Sequence, residues 1–135
     1  MRKLGWAILM LAAFFAPAIA QEFPVKPIRL VIPYPPGGPT DVVGRTYAAK
    51  MQEMWGQPVV VENRSGANGN IASQLVAKAP GDGYTMLLHA SSFIINPLLY
   101  TSPGYDPFKE FTPISLTFDY KLVVVVNPSF PVNSI

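Results

Sequence analysis

The stretch Ile28-Arg-Leu-Val-Ile-Pro-Tyr-Pro-Pro-Gly-Gly-Pro-Thr-Asp41 joins a buried-strand pattern to a Pro/Gly loop and then to the start of a helix. Gly37 and Gly38 lack a Cβ, so this loop can turn sharply and its N–H groups can approach a ligand closely. Thr40 or Asp41 is suited to cap the following helix. Because the free N–H groups and dipole of a helix N-terminus attract anions, the segment predicts capture of a small anion.

On its spacing alone, this loop has two open interpretations. It lacks the Gly-Lys-Ser/Thr ending of a phosphate loop and the G-x-G-x-x-G spacing of a dinucleotide site. It is either a plain strand-to-helix turn or a carboxylate-binding loop. Asp41 is better explained as a helix cap than as a partner for a ligand amine.

The first twenty residues have the pattern of a secretory signal peptide. Arg2 and Lys3 precede an apolar stretch at 4–15, and Ala18-Ile-Ala20 is an A-x-A cleavage site. The apolar stretch is shorter than the roughly 18–20 residues that span a bilayer. The sequence has no cysteine, and an exported protein without disulfides fits a bacterial periplasm. We therefore expect cleavage after Ala20 and a periplasmic location.

The charge balance argues against nucleic-acid binding. The chain has ten Lys and Arg residues against eight Asp and Glu. Arg2 and Lys3 belong to the predicted signal, so the remainder carries no net charge and offers no basic surface for nucleic acid. Its length suits one modest hydrophobic core rather than two domains.

Short apolar runs alternate with helical patterns after the signal. One helix, with apolar residues at Val43, Tyr47, Met51 and Met54, ends at Gly56. A second helix covers 71–78 with Ile71, Leu75 and Val76 facing inward, and a short helical turn is expected at 96–100. This alternation predicts an α/β fold with a mostly parallel sheet and flanking helices. The predicted strands are 28–31, 59–62, 84–88, 114–116 and 122–126.

Small and polar residues follow two further predicted strands. The loop 65–70, like the first loop, places small residues between a predicted strand and the start of a predicted helix. Ser91 and Ser92 follow the third strand. The carboxyl ends of parallel strands meet at one edge of a sheet, where open α/β folds bind ligands. Asn68 is alternatively a helix cap. We expect these loops to face one crevice.

Little in the sequence indicates catalysis or metal binding. No G-x-S-x-G motif surrounds Ser91 or Ser92, and His89, the only histidine, is better explained as a structural side chain than as a general base. No cluster of His and carboxylate residues has metal-ligand spacing. We expect neither a metal nor a cofactor.

Several motifs in one order resemble the Bug family, the TctC-like substrate-binding receptors of tripartite tricarboxylate transporters. The resemblance continues through Phe111-Thr-Pro113 and Val125-Val-Asn-Pro128, so it covers essentially all of the chain after the signal. Tyr34 stands where family members often carry Phe. The motifs that carry the resemblance lie at 27–41, 56–63, 66–70, 79–84 and 96–100.

The resemblance implies a two-lobed periplasmic binding protein of type II that closes on a small carboxylate. Dicarboxylates, tricarboxylates, acidic amino acids and aromatic acids are the ligand classes it implies, and the membrane components of the transporter are the partners. Such a receptor is not an enzyme, and we expect a monomer. The ligand-binding residues that the resemblance implies are Tyr34, Gly37, Gly38, Thr40, Ala67, Asn68, Gly69, Ser91 and Ser92, with Asn96 as a weaker candidate.

Family chains are more than twice as long as this one. We therefore expect residues 21–126 to form an incomplete first lobe and 127–135 to begin the crossing to a second lobe. Receptor function is then expected to be impaired. The alternatives are a secreted α/β hydrolase fragment that uses Ser91 or Ser92, which would turn over an ester, and a non-functional remnant, which would be poorly soluble.

Overall fold

The computed structural model describes residues 22–119, 123, 125–129 and 131, so the predicted signal peptide lies outside the described residues. Three parallel strands form the sheet: β1 (Ile28–Ile32), β2 (Val59–Asn63) and β3 (Thr85–Leu87). Their order is β2-β1-β3, with β1 in the centre. The strands predicted at 28–31, 59–62 and 84–88 are confirmed. The central strand β1 is mostly buried, whereas β2 and β3 are mainly partly buried and Val60 is exposed.

Three helices accompany the sheet: α1 (Pro39–Trp55), α2 (Asn70–Ala77) and α3 (Ser92–Leu99), with a short 3₁₀ helix at Ala67–Gly69. Helix α1 packs on β1 and β2, whereas α2 packs on β1 and β3. Gly56 ends α1 in the left-handed conformation with φ 66°, as its position predicts. The main core lies between α1 and the sheet and consists of Ile28, Leu30, Ile32, Ala48, Val59 and Leu88.

The inward face of α1 differs from the predicted one. Its apolar residues suggested that Tyr47 and Met54 face the core, but these side chains are 39% and 70% exposed. The buried positions include Gly44, where a Cβ would lie 3.0 Å from Leu88 Cδ2. Small residues let the helix approach the sheet closely, so packing distance decides the buried face rather than the apolar pattern.

The buried face of α2 is also more polar than predicted. Ile71 is 50% exposed, while Leu75 and Val76 are partly buried. Ser73 is fully buried, and its Oγ donates to the Gly69 carbonyl at 3.1 Å. The hydroxyl is satisfied within its own helix turn, so it can occupy a core position.

The later part of the chain corrects two further predictions. Helix α3 begins at Ser92, before the predicted turn at 96–100. Residues 114–116 form no strand, and Ile114 is 79% exposed, because a strand needs a neighbouring strand to pair with and the described sheet ends at β3. The predicted strand 122–126 lies partly outside the described residues, and its described positions are not in a strand.

Candidate functional site

Three loops follow the carboxyl ends of the three parallel strands. Loop one (residues 33–38) leads from β1 to α1, loop two (64–69) leads from β2 to α2, and loop three (88–91) leads from β3 to α3. This edge of an open parallel sheet is the usual place for ligand binding. Side-chain hydrogen bonds link loop one to loop three and to the start of α3, and they link loop two to α3.

A buried carboxylate holds loop one in shape. Asp41 is 2% exposed, and its Oδ2 accepts hydrogen bonds from the Gly37 N–H at 2.8 Å and from Arg45 Nε at 2.9 Å. Its Oδ1 accepts a bond from Asn63 Nδ2 at 2.8 Å. The bonds from Arg45, the Gly37 N–H and Asn63 hold the pKa of Asp41 well below its usual range.

The expected capping of α1 by Thr40 or Asp41 is wrong in its geometry. Gly38 occupies the N-cap position, and no side chain caps it. Asp41, the third helical residue, instead reaches back past the helix start to the Gly37 N–H, much as the acidic residue of a capping box does. Thr40 is buried, with 8% exposure.

Asn63, the last residue of β2, connects loop one to the neighbouring strand. Its Nδ2 donates to the Tyr34 carbonyl at 3.0 Å as well as to Asp41, and its Oδ1 accepts a bond from Arg45 Nη2 at 3.1 Å. We did not predict Asn63, Asp41 and Arg45 as a cluster. The one available signal was a polar residue that ends an apolar strand at the ligand edge.

Loop two has an unusual backbone. Four consecutive residues have positive φ: Gly66 at 135°, Ala67 at 46°, Asn68 at 53° and Gly69 at 95°. Glycine adopts such angles freely and asparagine tolerates them, but alanine pays a steric cost. Backbone in such conformations persists only where surrounding contacts hold it in place. It is often found in loops that contact ligands.

A buried amide holds loop two. Asn96 is fully buried, and its Nδ2 donates to the Asn68 carbonyl at 2.9 Å and to Asn70 Oδ1 at 2.6 Å. Asn68 Nδ2 donates in return to Asn96 Oδ1 at 2.8 Å. Asn68 does not cap α2, whose N-cap is Gly69 without a side-chain hydrogen bond. The alternative of a capping Asn68 is therefore wrong.

Tyr34 connects loop one to loop three. Its hydroxyl lies 2.9 Å from Ser92 Oγ and 3.4 Å from His89 Nδ1. His89 Nδ1 also lies 3.1 Å from the Ala90 carbonyl, which only accepts hydrogen bonds, so we place the proton of the neutral ring on Nδ1. His89 Nε2 is buried against the backbone of Gly69 and forms no geometrically defined hydrogen bond with the described residues. Burial lowers the pKa of His89 and favours this neutral form.

This geometry does not suit a serine hydrolase. A nucleophilic serine needs a base within hydrogen-bonding distance. Among the described residues, Ser92 Oγ has the Tyr34 hydroxyl as its partner, and no hydrogen bond joins Ser91 or Ser92 to His89.

The ten predicted site residues lie on or beneath the surface that the three loops form. Asn96 and Thr40 are the least suited to direct contact because they are buried, and the side chain of Asn96 is already committed to Asn68 and Asn70. Gly37, Ala67, Asn68 and Ser91 are exposed, Tyr34, Gly38 and Ser92 are partly buried, and Thr40, Gly69 and Asn96 are buried.

Other features of the described residues do not compete with this site. No cluster of three or more His, Asp or Glu side chains within them could hold a metal ion, and none of their helices is long and apolar enough to cross a membrane. A cavity of about 390 Å³ lies beside α3, away from the three loops. Its lining is mostly apolar and includes Ile94, Leu98 and Phe108.

Comparison with known proteins identifies the family. The sequence model described as "Tripartite tricarboxylate transporter family receptor" matches residues 43–135. BugT of Bordetella pertussis is 41% identical over 126 residues, which are 92% of this chain and 39% of BugT.

Solved structures agree with this match. The periplasmic binding protein BugD superposes with a TM-score of 0.66 at 46% identity, over 68% of this chain and 31% of BugD. MatC from Rhodopseudomonas palustris, solved with bound malate, gives a TM-score of 0.62 at 38% identity, over 70% of this chain and 33% of MatC. The predicted α/β lobe of a periplasmic binding protein is therefore confirmed. The chain spans about two fifths of the length of BugT and belongs to the tripartite tricarboxylate transporter receptor family.

Proposed function

We propose that this chain is part of an extracytoplasmic receptor that captures a small carboxylate and delivers it to the membrane components of a tripartite tricarboxylate transporter. The observation that carries the proposal is the meeting of three small-residue loops at the carboxyl edge of one parallel sheet. MatC, a relative in structure, was solved with malate, so dicarboxylates are the first ligands to test.

The surface suits a carboxylate because it offers hydrogen-bond donors. Asn68 and Ser91 are exposed, and the hydroxyls of Tyr34 and Ser92 form a polar wall beside them. Loop two and the start of α1 also present backbone N–H groups, which favour anions in such turns. The ligand carboxylate would lie over Gly38, Ala67 and Asn68.

The affinity of this surface alone is expected to be weak. A charge-assisted hydrogen bond contributes roughly 1.5–3 kcal/mol, whereas micromolar binding needs about 8 kcal/mol after the cost of association. A surface open to water on one side falls short of that sum. We therefore expect dissociation constants in the millimolar range for the chain by itself.

The remaining parts of the proposal concern location and organisation. The signal peptide is cleaved after Ala20, and the mature chain is a periplasmic monomer. Residues 21–126 form part of the first lobe, and 127–135 lead toward the second. The receptor returns its ligand unchanged, because binding rather than chemistry is its task, and it requires no cofactor.

The test is an NMR titration of the ¹⁵N-labelled chain with malate, with dimethyl malate as the control. Malate should shift the amide signals of loops one, two and three, but not those near Asp82 at the opposite edge. Dimethyl malate lacks the charge and should shift none of them. It is also an ester, so the release of methanol in the same sample would support the hydrolase alternative. Malate shifts that are absent from all three loops would overturn the proposed function.

A further inference from the structure

We propose that Asp41 is a positioning residue that permanently occupies the Gly37 N–H, so that this N–H does not bind the ligand carboxylate. The inference rests on the proposed function. It changes the role of the Pro/Gly loop, whose glycine N–H groups the sequence suggests as anion donors. The Gly37 N–H is then unavailable to the ligand, and the contacts come instead from Gly38, from loop two and from the hydroxyls of Tyr34 and Ser92.

The hydrogen bonds of Asp41 support this role. Its two oxygens accept bonds from Gly37, Arg45 and Asn63 at 2.8–2.9 Å, and its side chain is only 3% exposed. A carboxylate with this many donors is a strong, geometrically defined acceptor. A ligand carboxylate could bind the Gly37 N–H only by displacing an anion that is already desolvated and paired.

The same cluster holds the backbone of Tyr34 in place. Asn63 Nδ2 donates both to Asp41 and to the Tyr34 carbonyl. One side-chain amide therefore connects the carboxylate to the start of loop one. The Tyr34 hydroxyl then reaches Ser92 at the start of α3. Asp41 therefore influences the polar wall without contacting the ligand.

The direct test is the through-hydrogen-bond scalar coupling between Gly37 ¹⁵N and Asp41 ¹³Cγ in the labelled wild-type chain. We expect this coupling to be present without ligand and to persist when malate is added. Its absence from the free protein, or its disappearance on addition of malate, would overturn the inference. This measurement needs no substitution, so it remains valid if the variants fold poorly.

Substitutions provide a second test through amide hydrogen exchange. In Asp41→Asn, exchange of the Gly37 N–H should accelerate roughly 10- to 100-fold, because a hydrogen bond to a charged acceptor is replaced by a weaker one. Exchange at Leu30, in the centre of β1, should change less than about twofold, since a local opening does not reach the core strands. Equal acceleration at both sites would indicate a merely structural role and would contradict the inference.

Asp82→Asn is the matched control. Asp82 also accepts a backbone N–H, that of Tyr84 at 3.1 Å, but it lies in the turn before β3, at the opposite edge of the sheet. This variant should leave exchange at Gly37 unchanged. The two failures are distinguishable. If malate shifts no loop amide while the Gly37–Asp41 coupling is present, the receptor role is wrong and the inference about the ligand falls with it. If malate shifts the loop amides and the coupling disappears, the inference alone is wrong.

Discussion

Loops one and two look alike in sequence but are held in place by different chemistry. Each has small residues between a strand and a helix. Loop one has a single positive φ, at Gly37, and is held by the charged Asp41. Loop two has four consecutive positive φ angles and is held by the neutral Asn96. The two loops should therefore respond differently to substitution and to pH.

The difference follows from where each anchor is located. Asp41 is only four residues from Gly37 and pairs with the exposed Arg45, so its charge is compensated nearby. Asn96 reaches loop two from α3, where it is fully buried. A neutral amide suits that position because it both donates and accepts, whereas an unpaired charge there would be costly.

The largest expected effect comes from Gly69→Ala, compared with Gly37→Ala. A Cβ at Gly69 would overlap His89 Nε2 and lie 3.1 Å from Pro33 Cβ, whereas a Cβ at Gly37 would meet nothing within 4 Å. Both positions have positive φ, which costs an alanine roughly 1–2 kcal/mol, and overpacking adds about 1–3 kcal/mol at Gly69 alone. Urea unfolding should show a loss in unfolding free energy of roughly 2–5 kcal/mol for Gly69→Ala and roughly 1–2 kcal/mol for Gly37→Ala. Equal losses in the two variants would show that close packing does not make loop two more sensitive to substitution than loop one.

The next effect is expected from Asn96→Ala, which removes the anchor of loop two. Truncation leaves a small cavity and removes the hydrogen-bond partner of Asn68 and Asn70, so we expect a loss of about 2–4 kcal/mol in unfolding free energy. Leu98→Ala on the same helix is the control, because Leu98 is 83% exposed and its substitution should stay within about 0.5 kcal/mol. Similar losses in the two variants would contradict the anchoring role of Asn96.

The third comparison uses pH to separate the two anchors. Because its hydrogen bonds lower the pKa of Asp41 in the folded state, Asp41 stabilises the protein fully above its unfolded pKa of about 3.9 and loses this contribution as pH falls further. Asn96 does not titrate. Protection of the Gly37 N–H against exchange should therefore decline on acidification before that of the Gly69 N–H, which bonds the Gly66 carbonyl at 2.9 Å.

This acid effect needs a local measurement because other carboxylates contribute to overall stability. The pKa values of Glu62, Asp82 and Asp106 are also lowered, by hydrogen bonds led by Arg29, the Tyr84 N–H and the Phe108 N–H respectively. The protection factors of Gly37 and Gly69 are compared in one sample, so a global loss of stability affects both. If the two decline together, the charge of Asp41 does not set the stability of loop one.

The strands and the loop positions could be predicted because they depend on local sequence. Continuous apolar runs bounded by Pro and Gly identify β1, β2 and β3, and parallel connection brings their carboxyl ends together. The buried face of α1 could not be predicted from its apolar residues. It is built from Gly44 and Ala48 and includes the charged Asp41, which is buried only because its partners are supplied by the fold.

The anchors of the site were not predictable in the same way. Asn63 and Asp41 are 22 residues apart, and Asn96 and Asn68 are 28 residues apart. Neither pair has a periodic or local signature, so its existence depends on the completed fold. The apolar residues 114–116 show the converse limit: their pattern fits a strand, but a strand also requires a neighbour with which to pair.

The smallest expected effect is a gain in stability from Ala67→Gly. Ala67 has φ 46°, and removing its Cβ relieves roughly 1–2 kcal/mol of backbone strain, from which the greater freedom of glycine in the unfolded chain subtracts about 0.5–1 kcal/mol. We expect a net gain of roughly 0–1.5 kcal/mol in the free energy of urea unfolding. Asn68→Gly has a similar φ of 53° but loses the bond to buried Asn96, so it should lower stability by about 1 kcal/mol. Opposite signs of the change in unfolding free energy for Ala67→Gly and Asn68→Gly would show that the bond to Asn96 holds loop two in place despite its backbone strain. A gain in both variants would mean that strain dominates and that the anchor contributes little.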